Sequence, residues 1–264
     1  MFVDTHAHLF SEYFDDIDEV VNNAVKNNVE YIINNGSNGK TNKEVLEYLA
    51  NPHIYGALGI HPESADNYTQ EDLDFIEKNL DNPKIVAIGE IGLDYHYTKD
   101  NKDKQIELFE RQLEMAQKYN MPVIIHSRDA TQDTIDILKK YHVTGTIHSF
   151  SGALEVANIY IKMGFMLGVN GVITFKNANL KDVIAQVDLS NILLETDCPF
   201  LAPHPHRGEK NESKYVYEIA KFISDLKNIS INELAKITGE NVKNTYPKIN
   251  LWRQLFVFIF FDFI

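Results

Sequence analysis

Cysteine is almost missing: Cys198 is the single one in 264 residues. An intramolecular disulfide framework is thereby excluded, and a reducing compartment is expected. No basic segment followed by an apolar one opens the chain, so no secretory leader is expected and the assignment is cytoplasmic. No apolar run reaches the roughly 20 residues of a membrane-spanning helix. The closing stretch LWRQLFVFIFFDFI is strongly apolar but too short to span, and residues 251–264 receive no role. Positive charge is also scarce, with 25 Lys and Arg against 38 Asp and Glu and a net charge of −13. That excludes a protein gripping nucleic acid over a broad basic face. It leaves room for an enzyme that meets phosphate locally, through metal ions and a few cations. Neither a Gly-rich dinucleotide fingerprint nor a phosphate P-loop is present. With no low-complexity linker and no short repeat, one domain over residues 1–250 is expected.

Hydrophobic residues make up 44% of the chain, enough for a substantial core. They fall in short runs: MFVDTH at the start, then 29–34, 53–59, 84–90, 121–127, 143–149, 164–170 and 191–197. These runs are aliphatic and β-branched rather than alternating, as in strands covered on both faces. Longer amphipathic stretches separate them. In KQIELFERQLEMAQKYN, Ile106, Phe109, Leu113 and Ala116 form a helical stripe. Eight strands alternating with helices predict a single (β/α)8 TIM barrel with an additional C-terminal helix around 230–246. A doubly wound open sheet is the alternative.

In a barrel the active site forms at the C-terminal ends of the strands. Those ends carry His6 and His8, then His61 in GIHP, Glu90 followed by Asp94, His126, His148 and Asp197. One histidine at a strand end is usually a hydrogen-bonded or surface residue. Imidazoles and carboxylates converging on one cavity are costly to bury without a cation. Alternate strand residues face the same side, so His6 and His8 can share a cation. Asp197 ends the strand that neighbours theirs in a closed barrel. Glu90 could bridge two metals, leaving His126 and His148 for the second. Mixed nitrogen and oxygen ligands suit zinc, manganese or iron, and magnesium less comfortably.

Longer motifs run in order along the chain: FVDTHAHL (2–9), GIHPE (59–63), IGEIGLDYHY (88–97), PVIIHSRDA (122–130), GTIHSFSG (145–152) and LLETDCPFLAPHPHRGEKNES (193–213). Together they resemble the TatD family of metal-dependent deoxyribonucleases, within the amidohydrolase-like barrel superfamily. The resemblance spans residues 1 to about 250. It departs from the family pattern at Glu63, where histidine often follows GxHP, and at Ser149, where the family has cysteine. It implies two divalent metal ions (Mg, Mn or Zn). His6, His8, Glu90 and Asp197 would hold one, and Glu90, His126 and His148 the other. It also places His61 near substrate, and Arg207 and Asn211 in a segment after the last strand.

The expected reaction is hydrolysis of a DNA phosphodiester by a water activated between two cations. Asp197 is the candidate general base. Arg207 and Arg128 are candidate phosphate contacts, each also readable as a surface arginine. His61 could protonate the leaving oxygen, orient substrate or be structural. Glu195 reads as a residue orienting a ligand, and Asp4 likewise or as a strand end. Cys198 reads as a packed side chain. Tyr95, His96 and Tyr97 could stack on bases or pack their own loop. The family implies action on single-stranded DNA ends. RNA, D-aminoacyl-tRNA deacylation and small-molecule amide hydrolysis remain open on the same ligands, and a non-enzymatic barrel scaffold is the outsider. Neither a membrane nor an obligate protein partner is expected.

Overall fold

A computed structural model describes residues 1–249. The apolar stretch 251–264 lies outside the described residues. Eight strands run β1 Phe2–Ala7, β2 Val29–Asn35, β3 Ile54–Leu58, β4 Ile85–Asp94, β5 Val123–Arg128, β6 Gly145–Ile147, β7 Phe165–Val169 and β8 Ile192–Leu194. Each pairs in parallel with the next in sequence order. A helix comes after each: α1 Ile17–Lys26, α2 Gly39–Tyr48, α3 Gln70–Asn79, α4 Lys102–Tyr119, α5 Thr131–Leu138, α6 Leu154–Lys162, α7 Leu180–Ile184 and α8 Val216–Lys227. The additional helix is α9, Ile231–Thr245.

The open-sheet alternative fails at the seam between β1 and β8. Ala7 bridges Cys198 in parallel, the Asp197 N–H donates to the His6 carbonyl (2.9 Å), and the His8 N–H donates to the Cys198 carbonyl (2.8 Å). Asp4 strengthens the seam from within, accepting from the Thr196 N–H (2.8 Å) and hydroxyl (2.6 Å). The molecule is a (β/α)8 TIM barrel.

The two faces of the strands explain why the apolar runs lack simple alternation. Val3, Tyr31, Ile33, Tyr55, Ala57, Ile124 and Leu193 form the barrel interior together with Tyr246. Their neighbours Phe2, Ile32, Ile54 and Leu58 belong to the larger cluster shared with the helices. Both faces are dry, so both carry aliphatics. On α4 the stripe holds, with Phe109, Leu113 and Ala116 fully buried and Ile106 half-buried. Helix starts obey local chemistry: Asp16 caps α1, while Asn38 with Thr41 and Thr69 with Asp72 form capping boxes on α2 and α3.

Tyr246, just past α9, is fully buried, and its hydroxyl meets the Thr146 hydroxyl at 2.6 Å. Lys248 then donates to the carbonyls of Leu80 (2.8 Å) and Ile85 (2.9 Å), pinning this segment across the barrel. Tyr246→Ala is expected to destabilise the protein by about 3–5 kcal/mol, as for other large aromatic truncations. Tyr246→Phe, which loses only the hydroxyl pairing, should cost about 1 kcal/mol. Urea midpoints of the two variants check the difference, and equal midpoints would refute it.

Candidate metal centre

Four buried amide side chains fix the strand ends from which the polar residues project. Asn34 accepts from the Leu9 N–H (2.8 Å) and donates to its carbonyl (3.0 Å). Asn42 does the same for Gly59 (3.1 and 2.9 Å), Gln112 for Ile60 (2.8 and 3.0 Å) and Gln105 for Asp94 (2.9 and 2.9 Å). Each amide imitates a strand residue, satisfying backbone groups where the ladder runs out. The residues held this way are Leu9, next to His8, the Gly59–Ile60 pair that leads into His61, and Asp94 itself. At the β3–β4 junction the chains approach so closely that a Cβ on Gly59 would lie 2.6 Å from the Gly89 carbonyl carbon. That approach sets Glu90 beside the loops after β2 and β3, with its N–H donating to the Gly36 carbonyl (2.9 Å).

Glu90 is the hub. Its Oε1 lies 2.8 Å from His126 Nδ1 and 3.7 Å from both His61 Nε2 and His148 Nε2. Its Oε2 lies 3.5 Å from His6 Nε2 and 3.6 Å from His8 Nε2. Asp197 Oδ1 closes the other side, 3.5 Å from His8, 3.7 Å from His148 and 3.8 Å from His6. The six residues expected as ligands therefore meet in one place. Five of them, His8, Glu90, His126, His148 and Asp197, border a cavity of about 710 Å³, with His6 buried behind it; the wall also includes His61, Asp94, Arg128, Tyr97 and Phe200.

Burial works against charge on every one of these groups, and the outcome depends on partners. Glu90 is held well below the usual carboxylate range because the imidazoles of His61, His6 and His148 outweigh its burial. Asp197 is lowered against burial by His148 and by hydrogen bonding to His8. His126 lies between Glu90 and Asp94, with Nε2 2.9 Å from Asp94 Oδ2, and the two carboxylates raise it to about 9 despite burial. His148 rises to about 10 against burial, through Glu195, Asp197 and Glu90. For His61 burial wins, aided by His126, and its pKa falls to about 3. His6, fully buried and stacked on His148 at 3.6 Å between ring centroids, is also lowered.

This donor set fits divalent cations. The Asn35 carbonyl lies 3.0 Å from His8 Nδ1 and requires a proton there, so a neutral His8 turns its Nε2 lone pair toward Glu90 and Asp197. His6 Nε2 and His8 Nε2 face each other at 3.1 Å. The two nitrogens are close enough to share a proton or a cation, and despite burial Asp197 and Glu90 favour positive charge at His8. His6, His8 and Glu90 form one ligand cluster, and His61, Glu90 and His126 another.

The remaining candidates lie elsewhere. Asn211 is fully buried and donates to the carbonyls of Thr196 (2.9 Å) and Phe200 (2.5 Å), so it braces the loop after β8 and does not line the cavity. Arg207 stacks on Phe175 at 3.8 Å and donates to the Ala202 carbonyl (3.0 Å), and it too is absent from the cavity wall. In both, backbone carbonyls take donors: Thr196 and Phe200 take the Asn211 amide, and Ala202 takes one of the Arg207 nitrogens. Arg128 does border the cavity, over the Tyr97 ring at 5.1 Å. Asp4 bonds Thr196, just past β8, rather than a histidine side chain. Cys198 is buried 3.7 Å from the Ser213 hydroxyl, its thiol pushed up to about 12 by burial. Asp94 received no role from the sequence. The signal was parity, since Glu90, Gly92 and Asp94 share one strand face if β4 continues past Glu90, as it does.

Sequence comparison agrees with this geometry. The model of the family described as TatD related DNase matches residues 3–247. The chain belongs to the TatD family. It is 44% identical to the uncharacterized metal-dependent hydrolase YabD of Bacillus subtilis (strain 168), covering 93% of this chain and 99% of YabD. Mouse TATDN3, provisionally named a deoxyribonuclease, is 31% identical over 94% of this chain and 88% of its own length. Among solved structures, the TatD homologue YJJV from Escherichia coli K12 superposes with a TM-score of 0.87 at 29% identity, covering 93% of this chain and 98% of YJJV. The protein is thus a metal-dependent hydrolase of the TatD family, with His/Glu clusters fitted to hold metal.

In the metal-free protein His126 and His148 carry protons up to about pH 9 and 10 respectively. Metal binding at neutral pH must displace them. Affinity for Mn or Zn should rise with pH and level off only near those values. Calorimetry in buffers of different ionisation enthalpy should show net proton release at pH 7, and binding without proton release would contradict it.

Proposed function

We propose that the protein is a deoxyribonuclease that hydrolyses phosphodiester bonds at single-stranded DNA ends, with two divalent cations (Mg, Mn or Zn) held by His6, His8, Glu90, His126, His148 and Asp197. The observation that carries this reading is Glu90 lying between two ligand groups, its Oε2 toward His6 and His8 and its Oε1 toward His126 and His148. Divalent cations held by these residues would supply charge to the scissile phosphate and would acidify a bound water. Asp197, held deprotonated by its imidazole neighbours, takes the proton from the attacking water. His61 accepts from the Glu63 N–H through Nδ1 (3.3 Å), so its proton sits on Nε2, facing the cavity. With a pKa near 3 it is neutral, which suits hydrogen bonding to a phosphate oxygen better than protonating the leaving group.

The cavity wall favours a chain end over an extended duplex. Its acidic members are Glu12, Glu63, Glu90, Asp94 and Asp197, and Arg128 is the one Lys or Arg of the wall among the described residues. A long polyanion finds no basic track there, whereas a terminal nucleotide needs only the metal pair and Arg128. Exposed rings stand ready for unpaired bases: Tyr97 is 71% exposed, and Phe200, 48% exposed, packs against Tyr13 and His8. The name of the mouse relative points the same way.

Labelled single-stranded DNA, duplex DNA, RNA and D-aminoacyl-tRNA, offered with Mg, Mn or Zn, decide the substrate. Single-stranded DNA should be shortened from an end, and preferential deacylation of the tRNA would overturn the reading. Chelation should abolish hydrolysis and added Mg or Mn restore it. Asp197→Asn should lower kcat by at least about 10²-fold with the fold intact. Arg128→Ala should raise KM roughly tenfold, the scale of one lost charged hydrogen bond, while Arg207→Ala should leave KM near its wild-type value. The reverse pattern would return the phosphate contact to Arg207.

A further inference from the structure

Behind the ligand cluster lies a second group of polar atoms that the reaction does not use. Glu195, one residue past β8, is fully buried. Its Oε1 accepts from the Ser149 N–H (2.6 Å) and lies 3.0 Å from His148 Nδ1, the ring nitrogen opposite the one facing Glu90. Its Oε2 has no hydrogen-bond partner among the described residues, and neither His6 Nδ1 nor His148 Nδ1 makes a contact that meets hydrogen-bond geometry. One nitrogen from each of His6 and His148 and one Glu195 oxygen lie within 4.8 Å of one another. The barrel makes room for the carboxylate: a Cβ on Gly168 would sit 2.3 Å from Oε2.

An imidazole can offer a lone pair through Nε2 only if its remaining proton sits on Nδ1, and a buried Nδ1–H needs an acceptor. His8 has the Asn35 carbonyl. His6 and His148 have no backbone carbonyl in that role among the described hydrogen bonds. Glu195 is the acceptor within their cluster, and it has two oxygens for two rings. The rings belong to different ligand groups, His6 on the His8 side of Glu90 and His148 on the His126 side.

We infer that Glu195 is a shared positioning residue: one buried carboxylate that holds the Nδ1 protons of both His6 and His148 and so turns both Nε2 atoms toward the metals. In that role its carboxylate contacts the rings and neither substrate nor metal. Its contact with the Ser149 N–H offers a purely structural alternative, namely a brace for the turn after β6. Glu195→Gln separates the two. The amide keeps the size and one acceptor oxygen, so it can hold Ser149, but it cannot accept from both rings.

The inference rests on His6 and His148 being ligands, and its test reads metal affinity and ring tautomers rather than hydrolysis. Competition with a fluorescent chelator should show Glu195→Gln binding Mn or Zn about 10- to 100-fold more weakly than wild type, with a similar melting temperature. Nitrogen-15 spectra of the metal-loaded wild type should report His6 and His148 protonated at Nδ1, and the variant should lose that signature in at least one ring. Gly168→Ala, which crowds the carboxylate without removing it, should weaken binding in the same direction. Glu195→Asp should recover part of the affinity. Wild-type affinity and tautomers in Glu195→Gln would overturn the inference. Should that variant fail to fold, unchanged affinity in Gly168→Ala would do so. A wild-type protein that binds no divalent metal would instead overturn the ligand assignment itself.

Discussion

A single buried carboxylate faced by five imidazoles is the constraint around which the molecule is arranged. Glu90 has His6, His8, His61, His126 and His148 within 3.7 Å. An isolated charge at that depth would be prohibitively costly, and the same holds for imidazolium ions without counter-charges. Each group is tolerable only because the others are present. The cluster therefore needs its members placed within fractions of an ångström, and flexible loops cannot do that unaided. The four paired amides of Asn34, Asn42, Gln105 and Gln112 supply the rigidity by extending the barrel ladder past its last true strand residues. Packing in the barrel fixes the strands, the amides fix the strand ends, and the strand ends fix the chemistry.

The charge of the whole chain acquires a purpose in this arrangement. With a net charge of −13 the protein repels polyanions in general and attracts divalent cations. Carboxylates dominate the cavity wall, so the attraction is focused where the ligands are. Under the proposed function, a phosphate would find positive charge chiefly at the bound metal. On the same proposal, selectivity for a chain end would follow from this scarcity of other footholds, with exposed rings such as Tyr97 and Phe200 left to hold bases.

Much of this was legible in the sequence because the barrel sorts residues by position. Apolar runs mark the strands, and the polar residues at their C-terminal ends mark the chemistry. His6, His8, Glu90, His126, His148 and Asp197 could therefore be gathered without coordinates. What escaped depended on distances that no pattern encodes. Asn211 and Arg207 carry suitable donors in a suitable loop, yet the carbonyls of Thr196, Phe200 and Ala202 take them. Asp94 was obscured by a strand that continues four residues past the expected end. The Asn35 carbonyl that sets the His8 tautomer is backbone, and side-chain identity reveals nothing about it.

The seam where β8 meets β1 carries a consequence in time. Thr5 bonds Leu194 and Asp4 bonds Thr196 across sequence separations of 189 and 192 residues, beside the histidines they flank. During synthesis the THAH segment emerges first and waits for almost the whole barrel before Asp197 exists to face it. Contacts of such separation form late, since the entropy of closing so long a loop must be met before they stabilise anything. On the proposed ligand assignment, closing the barrel and completing the ligand set would be the same event, and metal loading would mark finished folding.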